Sequence, residues 1–255
     1  MDLYAIKPTF IAPYLEAIEN ATAEEREAAA DRFGNDPVAD IVSRSEGSRE
    51  AAITITGPLS PDGPSPLARF FGFGGTGYNA IVEAAQQLGD DPTIDTVRVR
   101  MNTPGGRVDG MDAARQALAV LSSKKTLVVE NHGTLASAGM YLATLPGVEI
   151  VAMSSLAEQG SIGVIRAGFD TTEAETRAGI KRIKIVSSNA PNKQADPTTP
   201  QGLQVHQDAV DAAERVFIRK VAEGRGTTDQ DVIDNFGKGG MLIAEDPDPD
   251  KPDAL

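Results

Sequence analysis

Apolar and polar positions along the chain follow two rhythms in turn, one of period two and one near 3.6. From Ala51 the run AAITITG is rich in β-branched residues and predicts a strand; a Gly/Pro loop, PLSPDGPSPLARFFGFGGTG, comes next. YNAIVEAAQQLGDDP then places its apolar residues at helical spacing, with Leu88 near the end. The order recurs: IDTVRVRMN predicts a strand, TPGG a turn, VDGMDAARQALAVLSS a helix and KTLVVEN a strand. Further on, VEIVAM and SIGVI predict short strands, TTEAETRAG a helix and IKRIKIVS a strand. LQVHQDAVDAAERVFIRKVAEG predicts a long amphipathic helix. Strand–turn–helix units of this kind imply an α/β fold with a mostly parallel sheet.

The flanks read differently. PYLEAIENATAEEREAAADRF, residues 13–33, is rich in Ala and Glu and ends before Gly34, as an exposed or partner-docked helix would. GNDPVADIVSRSEGSRE reads as a linker, and EDPDPDKPDAL is a Pro- and Asp-rich tail. The expected organisation is a helical extension and linker over 1–50, one core domain over 51–243 and an acidic tail over 244–255. A chain of 255 residues is near the upper size for one compact domain.

Charge narrows the partners. Lys and Arg total 24 against 37 Asp and Glu, a formal net charge of −13 that repels nucleic-acid backbones and anionic lipid. The absence of cysteine removes thiolate nucleophiles and sulfur-ligated zinc, and no metal site is expected. MDLYAIKPTFIAPYLEAIEN has no basic segment followed by an apolar one, so no signal peptide is expected. The uncharged run between Glu130 and Glu149 is too polar and too broken by glycine to cross a bilayer. The expected location is the cytoplasm.

Two glycine-containing turns each come after a strand and open a helix: NTPGGRVDG after Val97–Met101 and HGTLASAGMYLA after Leu127–Glu130. Glycine lets backbone approach a ligand closely, and amides at a helix start face outward without acceptors. Neither turn has the spacing of a dinucleotide or triphosphate cradle. Ser137, at the start of the second helix, reads either as a cap or small packing residue or as an acyl-transfer nucleophile with the Ala138 N–H beside it.

A serine nucleophile needs a base. His132 lies five residues before Ser137, and His206 sits in the long helix on what reads as a solvated face, so neither supports a Ser-His-Asp triad. Lysine is the known variant, provided burial makes the neutral amine accessible near pH 7, a cost of about 4 kcal/mol. Lys124, Lys125, Lys181, Lys184 and Lys220 lie among other charges and read as solvated. Lys193, in SSNAPNKQADP, is an isolated cation in a turn-rich loop after an apolar strand.

Taken in order, NTPGGRVDG, ASAGMYLA, QGSIGVI and the downstream NK resemble the signal-peptide-peptidase-A family of serine peptidases, and within it the phage branch of capsid assembly proteases. The likeness runs from about Ala51 to Ile243. It implies a ClpP/crotonase-like fold with repeated β-β-α units and no cofactor. It places the nucleophile on Ser137, the general base on Lys193, the oxyanion hole on Gly105, Gly106 and Ala138, and a supporting hydroxyl on Ser161. Substrate would pair as an extended strand between Arg107–Val108 and the segment around Ser161 and Ile162. The implied partners are protein substrates of the phage head, scaffold, portal or capsid, in the host cytoplasm or procapsid. Self-cleavage and a homo-oligomer whose subunits complete one another's sites are also implied. Thr103 stands where the family commonly has Ser, and the approach to Lys193 lacks the usual glycine. Two other readings share the fold: an inactive scaffold or assembly protein, and a crotonase-like acyl-CoA enzyme without a serine nucleophile.

Overall fold

The structure, a computed structural model, describes residues 20–33, 37–72 and 74–245. In chain order it contains helix α1 (Ala23–Phe33), strands β1 (Val42–Arg44), β2 (Glu50–Thr56) and β3 (Leu59–Ser60), helix α2 (Pro66–Phe70), strand β4 (Thr76–Gly77) and helix α3 (Tyr78–Asp90). Next come β5 (Thr96–Thr103), α4 (Met111–Lys124), β6 (Thr126–Ala136), α5 (Ala138–Ala143), β7 (Glu149–Ala152) and β8 (Glu158–Gly160). Helices α6 (Thr172–Arg177), α7 (Pro200–Arg225) and α8 (Asp229–Asn235), a 3-10 turn (Gly237–Gly239) and β9 (Met241–Ile243) complete it.

The result is a mixed α/β fold around a seven-stranded sheet in the order β1-β2-β5-β6-β8-β9, with β7 also paired to β6. The central pairings are parallel, and among the described residues only β1 on β2 and β9 on β8 are antiparallel. In β5, Val97, Val99, Met101 and Thr103 point into the core, against Ile81, Ala84 and Leu88 of α3 and Ala114, Leu118 and Leu121 of α4. Burying each large aliphatic side chain contributes about 1.5–3 kcal/mol.

Strand β6 is forked, which is how the fold brings its end to the site. Val128–Asn131 pair with β7, whereas Thr134–Ala136 pair with β8. Between these segments the register against β5 slips, from Met101 opposite Asn131 to Thr103 opposite Leu135. Asn102 fills the irregularity, its Oδ1 accepting the Thr134 N–H at 3.1 Å. A bulge of this kind bends the strand and re-aims the residues at its end, here toward the Ser137 junction.

On the opposite face Arg98 and Arg100 converge on Glu130, whose side chain is 8% exposed, at 2.9 and 3.4 Å, and His132 Nε2 lies 3.0 Å from it. Glu50 is Arg98's other partner. Burial alone would raise the Glu130 pKa, but hydrogen bonds from His132 and Arg98 hold it below the ordinary carboxylate value. A depressed carboxylate stabilises the fold above its unfolded pKa of about 4.3 and loses that contribution as pH falls through its folded value. Glu130→Gln is therefore expected to be less stable than the native chain at pH 7. That gap should close toward pH 3, as read from urea midpoints at both pH values.

Three expectations need correction. SIGVI does not continue as a strand past Gly160, because Ser161 turns to a positive φ of 53° and gives its N–H to Gly240 O at 2.7 Å. IKRIKIVS is not a strand. Ile180, Ile183 and Ile185 are exposed, and the β8 edge that could have received them is taken by β9. The stretch read as a linker supplies β1, paired through Val42, Ser43 and Arg44 to β2, with Val38 buried beside it. Of the N-terminal helix expected over 13–33, Ala23–Phe33 is helical and 13–19 lie outside the described residues, as do Gly34 and 246–255 of the tail. No helix among the described residues is long and apolar enough to cross a membrane.

Candidate active site

The site lies where the turn after β5 meets the β6–α5 junction. Ser137 occupies that junction with φ 51° and ψ −119°, a conformation that non-glycine residues rarely adopt and that recurs where strain serves function. Its own N–H is spent on Gly160 O at 2.9 Å and its carbonyl accepts the Tyr141 N–H at 3.1 Å. The junction is thus held on two sides, by β8 and by the first turn of α5.

The far end of α5 is also anchored. The buried Arg115 guanidinium donates to Tyr141 O and, at 2.9 Å, to Lys220 O of α7, and lies 5.2 Å from the Tyr141 ring centre. Tyr141 in turn donates its hydroxyl to Asp112 at 2.7 Å and meets Phe217 edge-on. Burial pushes the Arg115 pKa down. A cation on the last carbonyls of a helix complements its dipole, so Arg115 locks the helix that carries Ser137.

The Pro104–Gly105–Gly106 turn is shaped by one hydroxyl. Thr103 Oγ1, fully buried, donates to Gly57 O at 2.7 Å and accepts the Gly105 N–H at 3.1 Å. Gly105 O accepts the Leu59 N–H and Arg107 N–H donates to Leu59 O, each at 2.9 Å, which stitches the turn to β3. The Gly106 N–H, between these bonds, and the Ala138 N–H, at the start of α5, have no acceptor among the described residues. The two glycines permit the approach. A Cβ on Gly105, at φ 93°, would sit 2.5 Å from Ser137 Cβ and 3.0 Å from Ala138 N, and a Cβ on Gly106 would run into the Leu59 carbonyl. Because the Gly105 N–H is already engaged, the acceptor-free amides next to Ser137 are those of Gly106, which lines the same cleft, and Ala138, which follows it in the chain.

Replacing Thr103 with Val keeps the shape and removes both hydrogen bonds, leaving the buried Gly105 N–H and the half-buried Gly57 O without these partners. We expect a loss of about 2 kcal/mol in urea unfolding for Thr103→Val and near-native stability for Thr103→Ser.

A cleft of about 270 Å³ opens beside Ser137, lined by Gly106, Val108, Ser161, Ile162 and Val164 among others. Two charged residues share it, Glu214 of α7 and Lys238 of the 3-10 turn. The expected residues do not all meet there. Ser137, Gly106, Ser161, Val108 and Ile162 do; Gly105 and Ala138 back the Ser137 corner. Both backbone groups of Arg107 are occupied, its N–H by Leu59 O and its carbonyl by the Tyr78 hydroxyl at 2.7 Å, and its guanidinium pairs with Asp109 at 2.8 Å. That pairing holds Asp109 below the ordinary carboxylate range, and burial pushes the Tyr78 phenol up.

Lys193 lies outside the cleft of its own chain. It is exposed, on a turn closed by its N–H to Ala190 O at 3.0 Å. The loop around it is pinned by Lys184 Nζ on Gln194 O and by His206, whose Nε2 donates to Ala195 O at 2.8 Å while Nδ1 faces Arg166 at 2.6 Å. His206 is thus a tether for the lysine loop rather than a solvated residue, a role its sequence neighbourhood does not signal. His132 pairs with Glu130 on the far face of the sheet and lies outside the cleft.

Comparison with known proteins points the same way as the geometry. The model of peptidase family S49 matches residues 119–248, just over half of the chain and inclusive of Ser137 and Lys193. Capsid assembly protease C of Escherichia phage lambda is 30% identical over 164 residues, 63% of this chain and 37% of that protein. Protease 4 of Salmonella typhi is 28% identical over 166 residues, covering 64% and 26% of the two chains. The head-tail preconnector protein GP5 of Enterobacteria phage P21 is 30% identical over 152 residues, 58% and 30%. The chain spans well under half the length of each. A serine held at positive φ between unengaged amides, inside the segment the family model covers, accords with that match: the chain belongs to peptidase family S49.

Proposed function

We propose that this chain is a serine endopeptidase of the phage-head type, with a ClpP/crotonase-like fold, that uses Ser137 as nucleophile and Lys193 as general base. The observation that carries the reading is the Ser137 corner, a strained serine beside the two acceptor-free amides of Gly106 and Ala138. Ser137 Oγ attacks the scissile carbonyl and its proton passes to the neutral Lys193 amine. The tetrahedral oxyanion is held by the Gly106 and Ala138 N–H groups. Collapse expels the amine, which takes the proton from Lys193, and water then hydrolyses the acyl-enzyme with the same lysine as base. Ser161, lining the same cleft, orients the lysine amine by hydrogen bonding.

Because Lys193 lies outside its own chain's cleft, the base comes from a neighbouring copy. What supports this is the segment that carries it: Ile165, Phe169, Ile180, Ile183 and Ile185 are 58–91% exposed, an apolar surface that a second copy would cover. Substrates are head proteins of a phage, scaffold, portal or capsid, in line with the relatives' names. The exposed position of Lys193 also favours a second reading, an assembly protein that no longer cleaves. Mass spectrometry of the protein co-expressed with the products of its neighbouring genes decides between them. Fragments present with the native chain and absent with Lys193→Ala support the peptidase; identical patterns support the assembly protein.

A further inference from the structure

Resting on that reading of the cleft, we propose that Glu214 selects a basic residue, Lys or Arg, in the substrate beside the cleaved bond. Along α7 the inward stripe of Val210, Ala213, Phe217, Ile218 and Val221 is partly or fully buried, and Glu214 stands within it. A carboxylate there breaks the apolar pattern that helix packing requires, and it lines the cleft that holds Ser137. Its Oε1 lies 3.7 Å from where a Cβ on Gly163 would be, so it abuts the backbone just beyond Ile162. Among the described residues no hydrogen bond or ion pair engages it.

The rest of that wall, Val108, Ile162 and Val164, is apolar. An extended peptide laid along 161–165 turns alternate side chains to one wall. The one directed at α7 meets a partly buried anion that has no cation of its own. A Lys or Arg side chain supplies that cation while its methylene stem covers the apolar wall. Lys238, the cleft's other charge, is exposed on a left-handed turn (φ 49°, ψ 45°) and is solvated there. The formal charge of −13 adds a general attraction for cationic peptide.

The test is cleavage of a mixed decapeptide library by the oligomeric native enzyme, with cut sites mapped by mass spectrometry, in parallel with fluorophosphonate labelling. We expect Lys or Arg enriched at one fixed position from the cut, with kcat/KM about tenfold above the neutral analogue, as a charge-assisted contact supports. That ratio should fall to near one in Glu214→Gln and turn to favour Asp or Glu in Glu214→Lys. Cutting without a basic preference, a preference that survives Glu214→Gln, or an acidic preference lost in Lys238→Ala overturns the inference while leaving the peptidase intact. Failure to cut any peptide together with failure to label overturns the peptidase reading and this one with it.

Discussion

Ser137→Ala is expected to lower kcat for peptide cleavage by about 10⁴–10⁶-fold, as loss of a serine nucleophile does elsewhere, with the fold unchanged. Lys193→Ala should fall to a similar level, because nucleophile and base act as a unit and losing either forfeits the same step. The two variants differ in what rescues them. If Lys193 serves the Ser137 of another copy, mixing inactive Ser137→Ala with inactive Lys193→Ala yields some sites with both residues. Activity then reappears at a fraction of the native rate. The exposure of Lys193 and its absence from the residues lining its own cleft make that complementation the expected outcome. Steady-state assays on each variant alone and on the co-refolded mixture read both effects.

Gly106→Ala should be the most damaging change after those two, with kcat lowered by about 10²–10³-fold and KM altered much less. A Cβ at 106 meets the Leu59 carbonyl that receives the Arg107 N–H, so the turn must leave β3 and carry its free amide with it. Misplacing one oxyanion donor costs about 3 kcal/mol in the transition state and little in the ground state. Stability falls as well, because the clash is with Leu59 backbone at 2.0 Å and the two hydrogen bonds that tie the turn to β3 are lost. In Gly105→Ala the Cβ collides instead with Ser137 Cβ at 2.5 Å, at a φ of 93°, so the serine itself is displaced and stability again falls along with the rate. Urea midpoints measured beside kcat and KM read both losses in each variant.

The parallel core was legible because its signals are local. β5 alternates strictly, α3 and α4 carry apolar stripes, and the long helix α7 needs only its own periodicity. The failures share a cause outside the segment concerned. IKRIKIVS has strand composition, but a strand exists only where an edge is free to receive it, and β9 had filled that edge from far downstream. Val42–Arg44 is too short to announce itself and is a strand only because β2 offers its open side.

In the site, Ser137 and the glycine turn were readable as small residues at strand–helix junctions. Which glycine amide is free was not, since it depends on Thr103 Oγ1 and on Leu59, a residue distant in sequence from Gly105. Glu214 was visible in principle as a charge within an apolar stripe, but its approach to Gly163 is a product of folding. The tether from His206 to the Lys193 loop likewise joins groups that sequence neighbourhood keeps apart.

The most direct measurement is the mass of the intact chain after reaction with a fluorophosphonate, with peptide mapping of the adduct. An activated Ser137 gives one adduct per chain on the peptide containing that residue, and none in Ser137→Ala. No adduct on the assembled native protein, or an adduct on any other serine, would contradict the account.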